Sequence, residues 1–312
     1  LFALSIVMLI VEAAVDLTQP ILLGRIIDEG VARSDWRRVL ELGAWMLLIT
    51  AAGAVTALAR NQISSRVSQR FGSQLRGDLY RHIQSLPMAG VEKFDRASLV
   101  TRLTSDVTQV QNFVNGLMRI FVKAPLLCVG ALIMAVQLNG RLSVVLAVVV
   151  PIVGLLIAFN LKTGFPLFQR VQQSLDRVNG AVREYLSGVR VVMAFNRFDA
   201  ERDKFGEAND RLAADSIRAM GTMALFHPAV MLTVNVGIAA VLWIGGAGVS
   251  GGGGQIGEVV AFLSYMVQIL FSLMLILMVF TIFVRARTSA HRIGEVMAEP
   301  GALAAADPAP GF

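Results

Sequence analysis

The chain has 312 residues, 55% of them hydrophobic and only 16% charged, where soluble domains carry about 25% charge; its mean hydropathy of +0.64 excludes an ordinary soluble fold and points to lipid as solvent. The net charge of +6 is no nucleic-acid signature, because Lys and Arg fall mostly in two segments between apolar runs rather than in one basic domain. The single cysteine, Cys128, sits inside the apolar run Ala124 to Val136, which excludes a disulfide framework and leaves the redox compartment open.

Six apolar stretches follow one another: Leu1 to Ile27, Val39 to Leu58, Ile120 to Gln137, Leu142 to Leu161, Met220 to Ile244 and Val259 to Val284. Each reaches or approaches the ~20 residues a helix needs to cross a bilayer. Residue 1 already lies within the first stretch with no basic segment before it, so no cleavable signal peptide is expected and the natural N-terminus is expected upstream. The connections after stretches one, three and five are short. Those after two and four, Arg60 to Arg119 and Lys162 to Arg218, run to about 60 residues each, are charged, and read as helix because they hold few breakers. The two long connections and the tail after Arg285 hold most of the Lys and Arg, which places them on the cytoplasmic side; Arg33, Arg37 and Arg38 in the first short loop run against that rule.

A continuous helix from Val39 to about Leu86 spans ~70 Å, more than twice the ~30 Å hydrocarbon thickness, so half of it projects into water. The same holds from Leu142 to about Tyr185, where Phe168, Val171, Leu175, Val178, Val182 and Tyr185 recur at alternating steps of three and four. Such a stripe packs against other helices, and a cytoplasmic bundle is expected from spans two to five. Pro87 and Gly90 are expected to end the first stalk, and Gly188 to break the second.

Glu12 and Asp16 stand one turn apart in the first span, ~24 Å and ~18 Å from its outer end, and Lys123 in the third span lies at a similar depth. Intramembrane carboxylates are costly unless they face water or a partner. Two readings stay open: Glu12 and Asp16 border a translocation cavity that favours cationic or polar cargo, or Glu12 pairs with Lys123. Asn112, Asn115, Asn235 and Gln268 are expected to face inward, since amides avoid lipid. Met274, with Met266, Met278, Phe271, Phe280 and Phe283 of the last span and Met220, Met223 and Phe226 of the fifth, either lines the same cavity or packs against lipid and neighbouring helices. His82, His227 and His291 are too scattered for a metal site. No catalytic residue is expected, nothing resembling a nucleophile or acid–base pair being present.

Four segments together resemble the transmembrane domain of ATP-binding-cassette (ABC) exporters of the multidrug and lipid type: Pro20 to Gly30, Leu75 to Pro87 with Phe94-Asp95 and Leu99 to Val107, Glu184 to Arg197, and Ala290 to Val296. The resemblance covers nearly the whole chain. It implies an all-α membrane fold of six transmembrane helices extended into the cytoplasm with two intracellular coupling loops, over residues 1–298, and a linker over residues 299–312 toward a nucleotide-binding domain. The coupling segments would be about Phe94 to Thr101 and Val191 to Asp199, with Phe94, Asp95, Leu99, Val192, Ala194, Phe195, Asn196 and Arg197 as contact residues. ATP and Mg²⁺ would be held by that domain and none by this chain, and the further partners would be a second transmembrane half, identical or not, and membrane lipid. Export of amphipathic or drug-like molecules, lipids or peptides across a bacterial plasma membrane by alternating access is the implied function; import of a siderophore or vitamin on the same fold, or a cassette-free channel or scaffold, are the alternatives. No phosphate-binding loop occurs, for none of the four lysines follows a glycine. Ser250 to Gln255 and Leu186-Ser187-Gly188 look like fragments of the cassette signature but fall in a loop and a stalk.

Overall fold

The computed structural model describes residues 2–251 and 254–301, without the side chain of residue 277; the linker expected over 299–312 lies outside them beyond residue 301. Among the described residues six apolar helical stretches are long enough to span a membrane. Helix α1 (Phe2–Arg25) widens into a π turn at Ile26–Val31. The chain then reverses at Ser34, whose φ of 54° is left-handed. The Asp35 carboxylate accepts hydrogen bonds from the Arg37 and Arg38 amides and so caps α2 (Trp36–Ser85). At 50 residues α2 is about 75 Å long, as the length argument requires. Pro87 drives Leu86 into an extended conformation and ends it.

Two short helices follow, α3 (Met88–Lys93) and α4 (Arg96–Thr101). The path returns through a π turn at Arg102–Asp106, α5 (Val107–Gly116), a second π turn at Leu117–Phe121 and α6 (Lys123–Leu138). Asn139 turns the chain by accepting from the Arg141 and Leu142 amides. Helix α7 (Ser143–Ala194) then runs for 52 residues, straight through Gly188. The expected break there is wrong: a lone glycine costs a helix only about 1 kcal/mol and does not stop it. The stop is Asn196 at φ 51°, with the Arg197 amide bonded back to the Val192 carbonyl and the Asn196 amide to Met193, a left-handed C-terminal cap built on asparagine instead of glycine. The fifth span is interrupted: α8 (Phe198–Ala224) gives way at Leu225 to α9 (Phe226–Ser250), since Pro228 has no N–H for the Ala224 carbonyl. Helix α10 (Ile256–Met297) continues well past the Val284 expected as its apolar limit.

Contacts divide the chain into two compact units, residues 1–143 with 241–312, and residues 144–240. In the first, α1, α2, α5, α6 and α10 pack closely through small residues. A Cβ on Gly24 would stand 2.8 Å from the Gly257 carbonyl oxygen, and the Gly257 amide donates to Asp28 Oδ1 at 2.7 Å. Buried Leu9, Ala13, Ala124, Ala131, Phe262, Tyr265 and Met266 fill this region, and the Tyr265 hydroxyl donates to the Leu17 carbonyl at 2.6 Å. A second apolar cluster, Leu79, Leu86, Leu99, Val107, Ile293 and Val296, lies at the stalk end.

The second unit is a hairpin of α7 with α8 and the first part of α9. Its polar ties include Ser174 Oγ to Asp215 Oδ2 at 2.6 Å and Lys204 to Glu184 at 2.5 Å; Gly164 admits the Met223 side chain. The stripe on α7 is only partly covered. Phe168, Leu175 and Val182 are exposed and Val171, Val178 and Tyr185 half-buried, so the hairpin covers one side of the stripe and leaves the other open.

Candidate functional site

Glu12 of α1 stands at the centre of a buried charge cluster. Its Oε2 accepts from Arg60 Nε of α2 at 2.7 Å and its Oε1 from Lys123 Nζ of α6 at 2.5 Å. Lys123 also reaches Asp16 Oδ2 at 2.9 Å, and Arg60 donates through Nη1 to the Met118 carbonyl. Two carboxylates thus face two cations, and three helices are tied at one point. Charges removed from water are tolerable only when paired and hydrogen-bonded in this way. Of the two readings of Glu12, the pair with Lys123 is present, and both carboxylate oxygens are engaged within the chain. Asp16, with its side chain 38% exposed, keeps an open edge.

Arg60 escaped the sequence reading, which assigned it to the start of the aqueous connection because the apolar run stops at Leu58. The usable signal was helical continuity: α2 carries on unbroken, so an arginine just past its apolar run can still neutralise a carboxylate on a packed neighbour. Of the other expected cavity residues, Asn115 accepts through Oδ1 from Ser64 Oγ at 3.1 Å, and Asn112 is exposed. Gln268 and Met274 are half-buried on α10, and Asn235 is exposed in the second unit. A buried amide of this region outside the expected set is Gln111, 6% exposed; it packs where a Gly72 side chain would be and accepts from Arg76.

The two expected coupling segments differ in exposure. Phe94 and Asp95 form the link between α3 and α4; Phe94 packs on the stalk-end cluster with the Arg102 guanidinium 4.9 Å from its ring centre, and Leu99 is buried inside that cluster. At the other tip Val192 is buried, whereas Ala194, Asn196 and Arg197 are exposed and Phe195 is 74% exposed. The Phe195 ring stands largely in the open beside the Asn196 cap. Among the described residues no three His, Cys, Asp or Glu side chains converge as a metal site would require.

Comparison with known proteins places this geometry. The family model of the ABC transporter transmembrane region matches residues 2–289. An uncharacterized ABC transporter ATP-binding protein of Mycobacterium tuberculosis is 36% identical over 97% of this chain and 52% of its own length. The corresponding YfiB protein of Bacillus subtilis is 34% identical over 96% and 52%. At greater distance stands an ATP-dependent lipid A-core flippase of Pectobacterium atrosepticum, 24% identical over 77% and 41%. The chain spans about half the length of the Mycobacterium tuberculosis and Bacillus subtilis relatives. It is a multi-pass integral membrane protein, and it belongs to the family of ABC transporter transmembrane regions.

Proposed function

We propose that the chain is the translocating half of an ATP-driven exporter, with residues 1–298 as the transmembrane domain and residues 299–312 as the linker to a nucleotide-binding domain that holds ATP and Mg²⁺. A second transmembrane half completes the pathway, and the long stalks lie in the cytoplasm, on the side of the basic connections. The observation that carries the reading is Phe195, a bare ring on a capped tip some 50 residues along a single helix from the short-loop end. A stiff helix of that length transmits a displacement of its tip to the spans, where a flexible loop would absorb it.

Amphipathic or lipid-like cargo fits best. The charge cluster is balanced, with Glu12 fully engaged, so it offers no net charge to a cargo; Asp16 alone has an open edge for a cationic head group. Asn112, Asn115, Asn235, Gln268 and Met274 supply the remaining polar and adaptable contacts in this reading. Two relatives bear names of the same kind, a fatty acid ABC transporter ATP-binding/permease protein of Mycobacterium bovis and the lipid A-core flippase. The test is ATP hydrolysis by the full-length protein in liposomes across cationic and neutral amphiphiles. Stimulation by some of them supports the reading, and Asp16→Asn should weaken the response to cationic members selectively. An equal loss for neutral members removes Asp16 from cargo selection, and no response to any amphiphile removes the cargo class.

A further inference from the structure

At the stalk end a dense set of polar contacts joins α10 to the first intracellular loop, and neither the cargo pathway nor the exposed tip accounts for it. Asp106, in the π turn after α4, is 1% exposed. Its Oδ1 accepts from Ser289 Oγ at 2.8 Å and from Arg292 Nη2 at 2.5 Å, both on α10. Arg102, one turn earlier, donates through Nη2 to Glu295 Oε2 at 2.9 Å and through Nη1 to the Arg292 carbonyl. Both acidic and basic members therefore alternate between the two elements, and each side supplies what the other lacks.

The end of α10 is held as well. His82 of α2 points Nε2 at the Val296 and Glu299 carbonyls, at 3.0 and 3.1 Å. Carbonyls only accept, so the ring carries its proton on Nε2 and ties α2 to the end of α10, where the Val296 carbonyl also accepts from the Glu299 amide. Lys93 of α3 pairs with the Glu299 carboxylate at 2.6 Å. One residue beyond Pro300, a Cβ on Gly301 would stand 2.8 Å from Ser85 Oγ, so the departing chain passes tightly under the end of α2. The apolar cluster that includes Leu99 and Ile293 underlies the same contacts and lowers the local dielectric, which strengthens them.

We infer that the stalk end of α10, the α3–α4 tip and the first residues leaving α10 form one mechanical body, clamped by Arg102 and Asp106 against Arg292 and Glu295. The inference rests on the transporter reading for its consequence: pushes delivered at the α3–α4 tip and pulls delivered through the chain after α10 reach the spans as one displacement. Arg102 and Asp106 are then positioning residues for coupling, touching neither cargo nor nucleotide. Arg102 and Asp106 are buried while the Glu295 and Arg292 side chains keep 44% and 46% exposure, so it is the buried member of each pair that makes the contact stiffer than a surface ion pair.

The test uses the full-length transporter with its nucleotide-binding domain, Cys128→Ser, and spin labels at the exposed positions Glu92→Cys on α3 and Ala290→Cys on α10. The distance between labels should be the same in the nucleotide-free and ATP-trapped states. A change of about 5 Å, the rise of one helical turn, would overturn the clamp. In the Arg102→Met, Asp106→Asn double variant the distance distribution should broaden and cargo stimulation of hydrolysis should fall about fivefold, with Asp106→Glu restoring both in part. A double variant that keeps a narrow distribution and full stimulation contradicts the inference. If that variant fails to fold, Glu295→Gln, which weakens the Arg102 pair at a partly exposed position, should broaden the same distance; an unchanged distance counts against the clamp. A parent that hydrolyses ATP without responding to any cargo sinks the transport reading, while the label distances still decide whether the clamp exists.

Discussion

The two units of the chain use glycine to different degrees, more often for close helix approach in the first than in the second. In the first, Gly24, Gly53, Gly72, Gly130, Gly245 and Gly257 each meet a neighbour closer than a Cβ would allow. In the second, Gly154, Gly180, Gly188, Gly206 and Gly221 have nothing within 4 Å, and Gly164, against Met223, is a tight exception. Small residues let helices approach where lipid provides no hydrophobic drive, so the first unit is built to hold together by itself. The hairpin of α7, α8 and α9 instead keeps broad apolar faces, including Phe168, Leu175 and Phe195, without cover in this chain. The first unit carries most of the close helix contacts, though Leu47 and Leu58 stay exposed there; the hairpin leaves its stalk stripe and tip open, for surfaces that the proposed second half and nucleotide-binding domain would supply.

Substitutions can sharpen that contrast. The largest effect is expected at Glu12. Glu12→Leu leaves Arg60 buried without its carboxylate and should cost about 3–5 kcal/mol, read as a marked loss of thermal stability in detergent; a change under about 1 kcal/mol would mean that the cluster is wetter than the structure shows. In the same range, Leu99→Ala should cost about 2–5 kcal/mol through the cavity it opens in the stalk-end cluster. Gly257→Ala comes next, at about 1–3 kcal/mol, because its Cβ would drive into the Gly24 carbonyl and the Asp28 carboxylate. Gly180→Ala in the hairpin should go the other way, gaining up to about 1 kcal/mol from helix propensity alone. Equal effects for these two glycines would erase the distinction between the units. The smallest effect belongs to Ser174→Ala, about 0.5 kcal/mol for one interhelical hydrogen bond to Asp215 in the stalk.

The six spans, the two stalks and their approximate lengths were legible because they follow from hydropathy and from the fixed rise of a helix, neither of which depends on neighbours. Glu12 with Lys123 was legible for the same reason, as depth along two helices is simple arithmetic. Arg60 was not, since its role comes from packing against α1 and hydropathy sees only an arginine leaving an apolar run. Gly188 misled because glycine is a stop signal only where the backbone must turn left-handed, and at that bend the chain uses Asn196. The α10 clamp joins residues about 190 positions apart, as Arg102 and Glu295 are, and no local pattern encodes such a pairing. Phe94 and Phe195 looked alike in sequence; only burial separates a ring that seals the stalk-end cluster from one that faces out.

That last difference gives the most direct test of the central claim, that this chain gates transport and takes its drive through the tip of the second stalk. The measurement is cargo-stimulated ATP hydrolysis by the full-length protein in liposomes, parent against Phe195→Ala, with thermal stability recorded alongside. The account predicts stimulation in the parent and its loss in Phe195→Ala, with stability changed by less than about 0.5 kcal/mol because the ring is exposed. Full stimulation in Phe195→Ala would contradict it.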